Sequence, residues 1–168
     1  MQGGQGCSGQ TAPGAHCPGQ TDIEYQTEFT MWAIAASPII VATNILNMTD
    51  IMTTVLLNAD MIAVHQDAAA IAGDRRGFTN DPGCPAGYCQ IWSRQLANGD
   101  WAGVMYNRDT VPHNITMPFA LVYPAWAGAT VSAYDLWQHA SVGNLTGTYA
   151  GLVQGHGVIA LRLSPIAL

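Results

Sequence analysis

The chain has 168 residues, a net charge of −6 and five basic residues, all arginine. Such sparse positive charge excludes nucleic acid and anionic membranes as electrostatic partners. The length allows one ordinary core, but the two halves follow different hydrophobic periods, so we expect parts of two domains, 1–73 and 74–168.

The first twenty residues are rich in Gly, Gln and Pro and are typical of a loop. Cys7 and Cys17 bracket most of this segment, and Cys84 and Cys89 bracket a tight Pro-Ala-Gly-Tyr turn later in the chain. We expect two local disulfides. Free thiols or a metal site are the alternatives, but neither pair has Cys-x-x-Cys spacing, and one neighbouring histidine does not complete a zinc site.

Thr21 and Glu24 have the spacing of a capping box, which predicts that a helix begins here. Apolar residues then recur on one helical face until Pro38 forces the preceding residue toward extended geometry. We expect this face to be core and assign its aromatic side chains no binding role. Its members are Tyr25, Phe29, Trp32, Ala33 and Ala36.

Two short apolar runs, 39–43 and 61–65, predict strands covered on both faces, as in a parallel sheet. Between them, residues 50–57 predict a helix capped by Thr49 or Asn47, which supplies the crossover that parallel strands need. This order is α/β architecture. Two strands alone leave open edges, so we expect that more of the protein precedes this half.

After residue 73 the apolar period changes to two, with turn signals such as Asn98-Gly99. Five or more short strands at this spacing are typical of an antiparallel β-sandwich. The predicted strands are 90–95, 101–107, 130–136, 146–152 and 158–163.

Chemistry in a parallel barrel lies at the carboxyl ends of the strands, here Thr43-Asn44 and His65-Gln66-Asp67. Structural roles are the preferred interpretation. Asn44 can serve a turn, Asp67 can cap a short helix and His65 can be a hydrogen-bonded core residue. No nucleophile elbow and no convincing carboxylate pair occur, so the residues themselves assign no catalytic group, metal or cofactor.

Three glycosylation sequons, at Asn47, Asn114 and Asn144, join the cysteines in favouring an exported protein. The chain lacks the roughly 18–20 apolar residues of a membrane-spanning helix, and its first residues lack a signal peptide pattern. Either the protein is cytosolic or its true N-terminus lies upstream of Met1, and we favour the second interpretation.

Residues 21–25, 29–40 and 57–67 resemble, in this order, the α-galactosidases of glycoside hydrolase family 27. The resemblance continues through Cys-Gln-Ile-Trp-Ser-Arg at 89–94 and Gly-His-Gly-Val at 155–158, and it covers nearly the whole chain. That family has a (β/α)₈ TIM barrel followed by an antiparallel β-sandwich. The resemblance therefore implies that the first half is the last part of the barrel and the second half is the sandwich.

Members of the family cleave terminal α-linked galactose with retention, using two Asp residues that map before Met1. The resemblance thus implies that this chain holds no catalytic residue and is inactive alone. Asn44 takes a substrate-lining position where relatives usually carry Asp, and His65 one where Asn is usual. No metal or cofactor is implied. The implied partner of the longer enzyme is an α-galactoside, and the implied location is secreted or a lysosome- or vacuole-like compartment.

Two other interpretations stay open. The sandwich could be a non-catalytic sugar-binding or vestigial module, which exposed, adjacent aromatic side chains would favour and buried ones would oppose. A related specificity, for α-N-acetylgalactosamine or β-arabinopyranose, is also compatible with the resemblance, and the oligomeric state is left open. The aromatic residues in question are Trp92, Trp101, Trp126, Trp137 and Tyr134.

Overall fold

The protein forms three layers in the computed structural model, which describes residues 20–43, 45–46, 48–79 and 81–166. A layer of helices covers one face of a six-stranded sheet, and a two-stranded sheet covers the other face. None of the described helices is long and apolar enough to span a membrane.

The helical layer consists of α1 (Asp22–Ile34), α2 (Asp50–Leu56) and α3 (Ala59–His65). The predicted capping box at the start of α1 is confirmed, because the Glu24 amide donates to the Thr21 hydroxyl and the Glu24 carboxylate accepts from the Thr21 amide. The start of α1 therefore follows the sequence prediction, whereas the helix ends at Ile34, before Ala36, whose φ is 50°.

The predicted strand at 61–65 is wrong. Residues 61–65 belong to α3, which begins where the Asn58 side chain accepts from the Met61 amide at 2.9 Å. Met61 and Val64 are buried one helical turn apart, a spacing that five apolar letters alone do not distinguish from a strand. Residues 39–43 adopt no regular structure, and every strand pair in the described part of the chain is antiparallel.

The predicted antiparallel sandwich is confirmed, with three strands that the sequence analysis missed. The five predicted runs correspond to β2 (Cys89–Gln95), β3 (Trp101–Asn107), β5 (Thr130–Asp135), β7 (Thr148–Val153) and β8 (Val158–Pro165). The three additional strands are β1 (Asp74–Phe78), β4 (His113–Pro118) and β6 (Ala140–Thr146). The short helix α4 (Phe119–Val122) follows β4. The large sheet has the strand order β1-β2-β3-β8-β5-β6, and the small sheet pairs β4 with β7.

The large sheet is buried on both faces. Along β3, Met105 points into the core between the two sheets, whereas Val104 points into a second core beneath the helices. On the helical side, Phe29, Ile34 and Val64 pack into this second core. The helices thus bury their apolar face against the sandwich rather than against a core of their own.

Gly73 connects the helical layer to β1 at very close range. Its amide donates to the Ile34 carbonyl at 2.7 Å, and a Cβ atom at this position would lie 2.8 Å from the Ser93 carbonyl oxygen. Only glycine fits such an approach without displacing the backbone. The division of the chain into two domains at this point stays a prediction.

Candidate functional site

His65 and Asp67, two of the residues considered for chemistry, lie at the seam, by which we mean the contact between the helical layer and the large sheet. Arg94 of β2 lies at its centre and is almost completely buried. Its Nη1 donates to the Ala33 carbonyl at 2.7 Å and to the His65 carbonyl at 3.2 Å. One guanidinium thus donates to carbonyls near the carboxyl ends of both α1 and α3, and the Ala33 carbonyl also accepts from the Ala36 amide at 3.2 Å.

Arg94 is buried at an electrostatic cost. Burial lowers the pKa of its guanidinium, and the negative charge of Asp67 opposes that shift. Its Nε and Nη2 atoms are buried without a hydrogen-bond acceptor in the described part of the chain. The contact therefore holds two helices on the sheet at the expense of an incompletely satisfied charge.

His65 and Asp67 have structural contacts. The His65 Nε2 atom donates to the Ser37 carbonyl at 2.8 Å, which ties α3 to the end of α1. Asp67 Oδ1 accepts from the Ala69 amide in a local turn and from the Ala97 amide of the loop between β2 and β3. The expected short helix after Asp67 is a turn instead, since Ala70 has a φ of 50°.

Two histidine–carboxylate pairs cross the seam at opposite ends. Glu24 of α1 lies 2.8 Å from His156 Nδ1, in the turn between β7 and β8. Asp60 of α3 lies 2.7 Å from His139 Nδ1 and accepts from the Tyr134 hydroxyl at 3.1 Å. Donation by the Thr21 amide and by His156 lowers the pKa of Glu24, so this carboxylate is held as an anion.

The other candidate residues are placed as follows. Asn44 and Asn47, and likewise Cys7 and Cys17, lie outside the described residues. A disulfide joins Cys84 to Cys89 at the edge of the core between the sheets. The sequon residues Asn114, on β4, and Asn144, on β6, have exposed side chains.

The sandwich aromatics proposed as sugar platforms are buried or half-buried. Trp101 and Trp126 pack edge to face in the core between the sheets. The Trp137 indole donates to the Thr30 hydroxyl across the seam, and the Trp92 indole donates to Gln90. These contacts account for the aromatics as core residues and oppose their use as a stacking surface.

Trp32 is exposed, in contrast to the tryptophans of the sandwich. The sequence analysis placed it on the core face of α1, but 43% of its surface is exposed. It lines a groove between α1 and the end of β3, which we call the α1 groove, with a volume of about 600 Å³. Periodicity alone could not find this groove, because its far wall comes from residues more than 70 positions away. That wall includes Tyr106, Arg108 and His156.

No metal site is present among the described residues, since no three His, Cys, Asp or Glu side chains converge there. The seam carboxylates Glu24, Asp60 and Asp67 each accept hydrogen bonds from neighbouring side chains or amides.

Comparison with known proteins identifies the sandwich. Residues 86–163 match the family model described as the α-galactosidase C-terminal β-sandwich domain. Curated relatives include an α-galactosidase from Cyamopsis tetragonoloba, 29% identical over 147 residues, and one from Oryza sativa subsp. japonica, 30% identical over 123 residues. The chain is therefore similar to the C-terminal portion of α-galactosidases.

The match covers most of this chain but a minor part of each relative. It includes 88% of the chain and 34% of the Cyamopsis enzyme, and 73% of the chain and 28% of the rice enzyme. The chain spans about a third of the length of the curated α-galactosidases it matches.

Solved structures show the same fold. α-Galactosidase I from Mortierella vinacea superposes with a TM-score of 0.79 at 24% identity, covering 89% of this chain and 38% of that one. The α-galactosidase from Saccharomyces cerevisiae, solved with raffinose, superposes with a TM-score of 0.75 at 21% identity. The match covers 88% of this chain and 44% of that one. A family 27 β-L-arabinopyranosidase from Geobacillus stearothermophilus superposes with a TM-score of 0.76 at 21% identity. The match covers 90% of this chain and 32% of that one.

Proposed function

We propose that this chain forms the C-terminal portion of a retaining α-galactosidase that hydrolyses terminal α-linked galactose of oligosaccharides or glycoconjugates. The observation that carries the proposal is the match of residues 86–163 to the α-galactosidase C-terminal sandwich, combined with curated relatives that are named as α-galactosidases. The two catalytic carboxylates belong, in this proposal, to the part of the enzyme outside the matched third.

The exposed apolar side chains after α1 support the proposal that this segment belongs to a barrel. Ile40 is 78% exposed and Leu46 is 93% exposed, although both are large apolar side chains. Exposure of several such side chains in succession marks a surface that another element covers. We propose that residues 39–43 become a strand of the (β/α)₈ barrel when neighbouring strands of the longer enzyme lie beside them. Asn44 would then line the sugar site at the end of that strand.

In this proposal the seam attaches the barrel to the sandwich. Arg94 holds the ends of α1 and α3, and His65 ties α3 to Ser37, two residues before the segment 39–43 that leads to Asn44. The sandwich thus acts on the sugar site by fixing where that segment begins. It contributes position rather than chemistry.

We further propose that the protein is exported, to the cell exterior or to a lysosome- or vacuole-like compartment. The Cys84–Cys89 disulfide suits an oxidising compartment. Asn114 and Asn144 carry exposed side chains in sequons, where a glycan would extend into solvent. Mass spectrometry before and after enzymatic deglycosylation would test occupancy of both sites.

Transcript sequencing on the 5′ side of Met1, followed by an assay of each protein product on a chromogenic α-galactoside, tests the proposed activity. We expect a longer reading frame whose product releases galactose with retention, as judged by NMR of the first anomer formed, while the 168-residue chain does not. A stop codon closely upstream with no longer product would overturn the proposal. Enzymatic turnover by the short chain would overturn the assignment of the carboxylates to the rest of the enzyme.

A further inference from the structure

The α1 groove contains polar groups that the fold does not use. Glu28 lies one turn after Glu24 and one turn before Trp32, so all three lie on the same face of α1. Glu28 is half-buried and has no hydrogen bond or ion pair to any described residue. The carbonyl oxygen of the Gln20 side chain, also in the groove, is buried without a donor in the same described set.

Across the groove, Arg108 supplies hydrogen-bond donors. Its guanidinium is exposed, lies 5.9 Å from the Tyr88 ring centroid and forms no ion pair within the described residues. The groove therefore places an acceptor carboxylate, an acceptor amide and a donor guanidinium around an exposed indole. A few polar groups around an apolar surface are typical of small-molecule sites of 300–1,000 Å³.

Charge selects the kind of ligand. Glu24 already accepts from His156, so Glu28 and Arg108 are the charged side chains left to bind a ligand, and their charges are opposite. Opposite charges on the two walls do not favour a polyanion or a polycation. A polyhydroxylated neutral molecule fits better, because its hydroxyls can donate to Glu28 and Gln20 and accept from Arg108, while its C–H face rests on an aromatic ring.

We propose that the α1 groove binds a neutral saccharide, with Trp32 as the stacking platform and Glu28 and Arg108 as the hydroxyl-binding groups. The use of a galactoside as the first probe rests on the proposed function, whereas the assignment of the groove to saccharides rests on its own side chains. The sandwich aromatics take no part, because their rings are packed in the core or across the seam.

The test is a titration of the intact chain, followed by amide and indole NMR shifts, with raffinose as a galactose-containing probe and maltotriose as a galactose-free one. We expect saturable shifts at the Trp32 indole and along α1 with at least one probe. Trp32→Ala should weaken binding about tenfold, and Glu28→Gln should weaken it by a similar factor. Trp32→Phe, which keeps a ring, should retain part of the affinity.

Phe78→Ala is the matched control, because Phe78 on β1 is also 44% exposed but does not line the groove. It should leave the affinity unchanged. Near-ultraviolet circular dichroism of each variant verifies that the fold is intact. Unchanged affinity in Trp32→Ala, or no saturable shift with either probe, would overturn the proposal. Binding of maltotriose alone would uphold the saccharide groove while removing its link to galactosides, and neither result depends on the hydrolysis assay.

Discussion

Arg94→Met would measure what the buried guanidinium contributes to the seam. The substitution keeps much of the side-chain length but removes the donor to the Ala33 and His65 carbonyls. The His65 carbonyl would lose the donor that the structure gives it, whereas the Ala33 carbonyl would keep the Ala36 amide at 3.2 Å, and a buried carbonyl left without a donor costs about 1–3 kcal/mol. The substitution also removes a buried charge whose Nε and Nη2 atoms lack acceptors, and this offsets part of the cost. We expect a net loss of about 1–2 kcal/mol in the free energy of unfolding.

Urea denaturation of the intact chain, followed by circular dichroism in the far and near ultraviolet, measures this loss. Arg75→Met is the control, because Arg75 is exposed on β1, and it should change the free energy of unfolding by no more than about 0.5 kcal/mol. If Arg94→Met were as stable as the parent chain, the guanidinium would be neutral or unfavourable in the seam. The idea that it holds the helices on the sheet would then be wrong.

Three further predictions concern the same seam. Gly73→Ala should lower the free energy of unfolding by roughly 2–3 kcal/mol, because the added Cβ would lie 2.8 Å from the Ile34 carbonyl oxygen; thermal unfolding checks this, and an unchanged midpoint would contradict it. Glu24 has a lowered pKa, so its contribution to stability should be present above about pH 4.5, its ordinary value, and should disappear as the pH falls through the lowered pKa. Urea unfolding at a series of pH values should show a shallower acid loss in Glu24→Gln, and identical profiles would oppose this assignment. Asp60→Asn should release the His139 ring and the Tyr134 hydroxyl, seen as a change in the His139 side-chain NMR shifts, whereas unchanged shifts would argue against the contact.

Local signals predicted several elements well. Thr21 and Glu24 specify the start of α1 through contacts only three residues apart, and a structure is not needed to anticipate such contacts. The strands β2, β3 and β8 are central in the large sheet, and their sequences carry enough apolar residues to be recognised.

Two of the three missed strands have a common cause. β1 and β6 are the two edges of the large sheet, and the exposed side chains of β1 are mostly polar or charged. An edge strand is selected by the neighbour that pairs with it and shows little apolar alternation of its own. The run at 61–65 failed for another reason, because five apolar residues satisfy a buried helix and a buried strand equally well.

The sequence by itself determined the antiparallel sandwich, the first helix and the resemblance to family 27 α-galactosidases, because each depends on patterns within a few neighbouring residues or on motifs in order. Only the tertiary structure decided that Arg94 joins two helix ends, that the sandwich tryptophans are packed away and that Trp32 lines an open groove. Burial depends on which surfaces meet, and the partners at the seam and the groove are separated by up to 132 residues along the chain. No local period encodes a meeting at that distance.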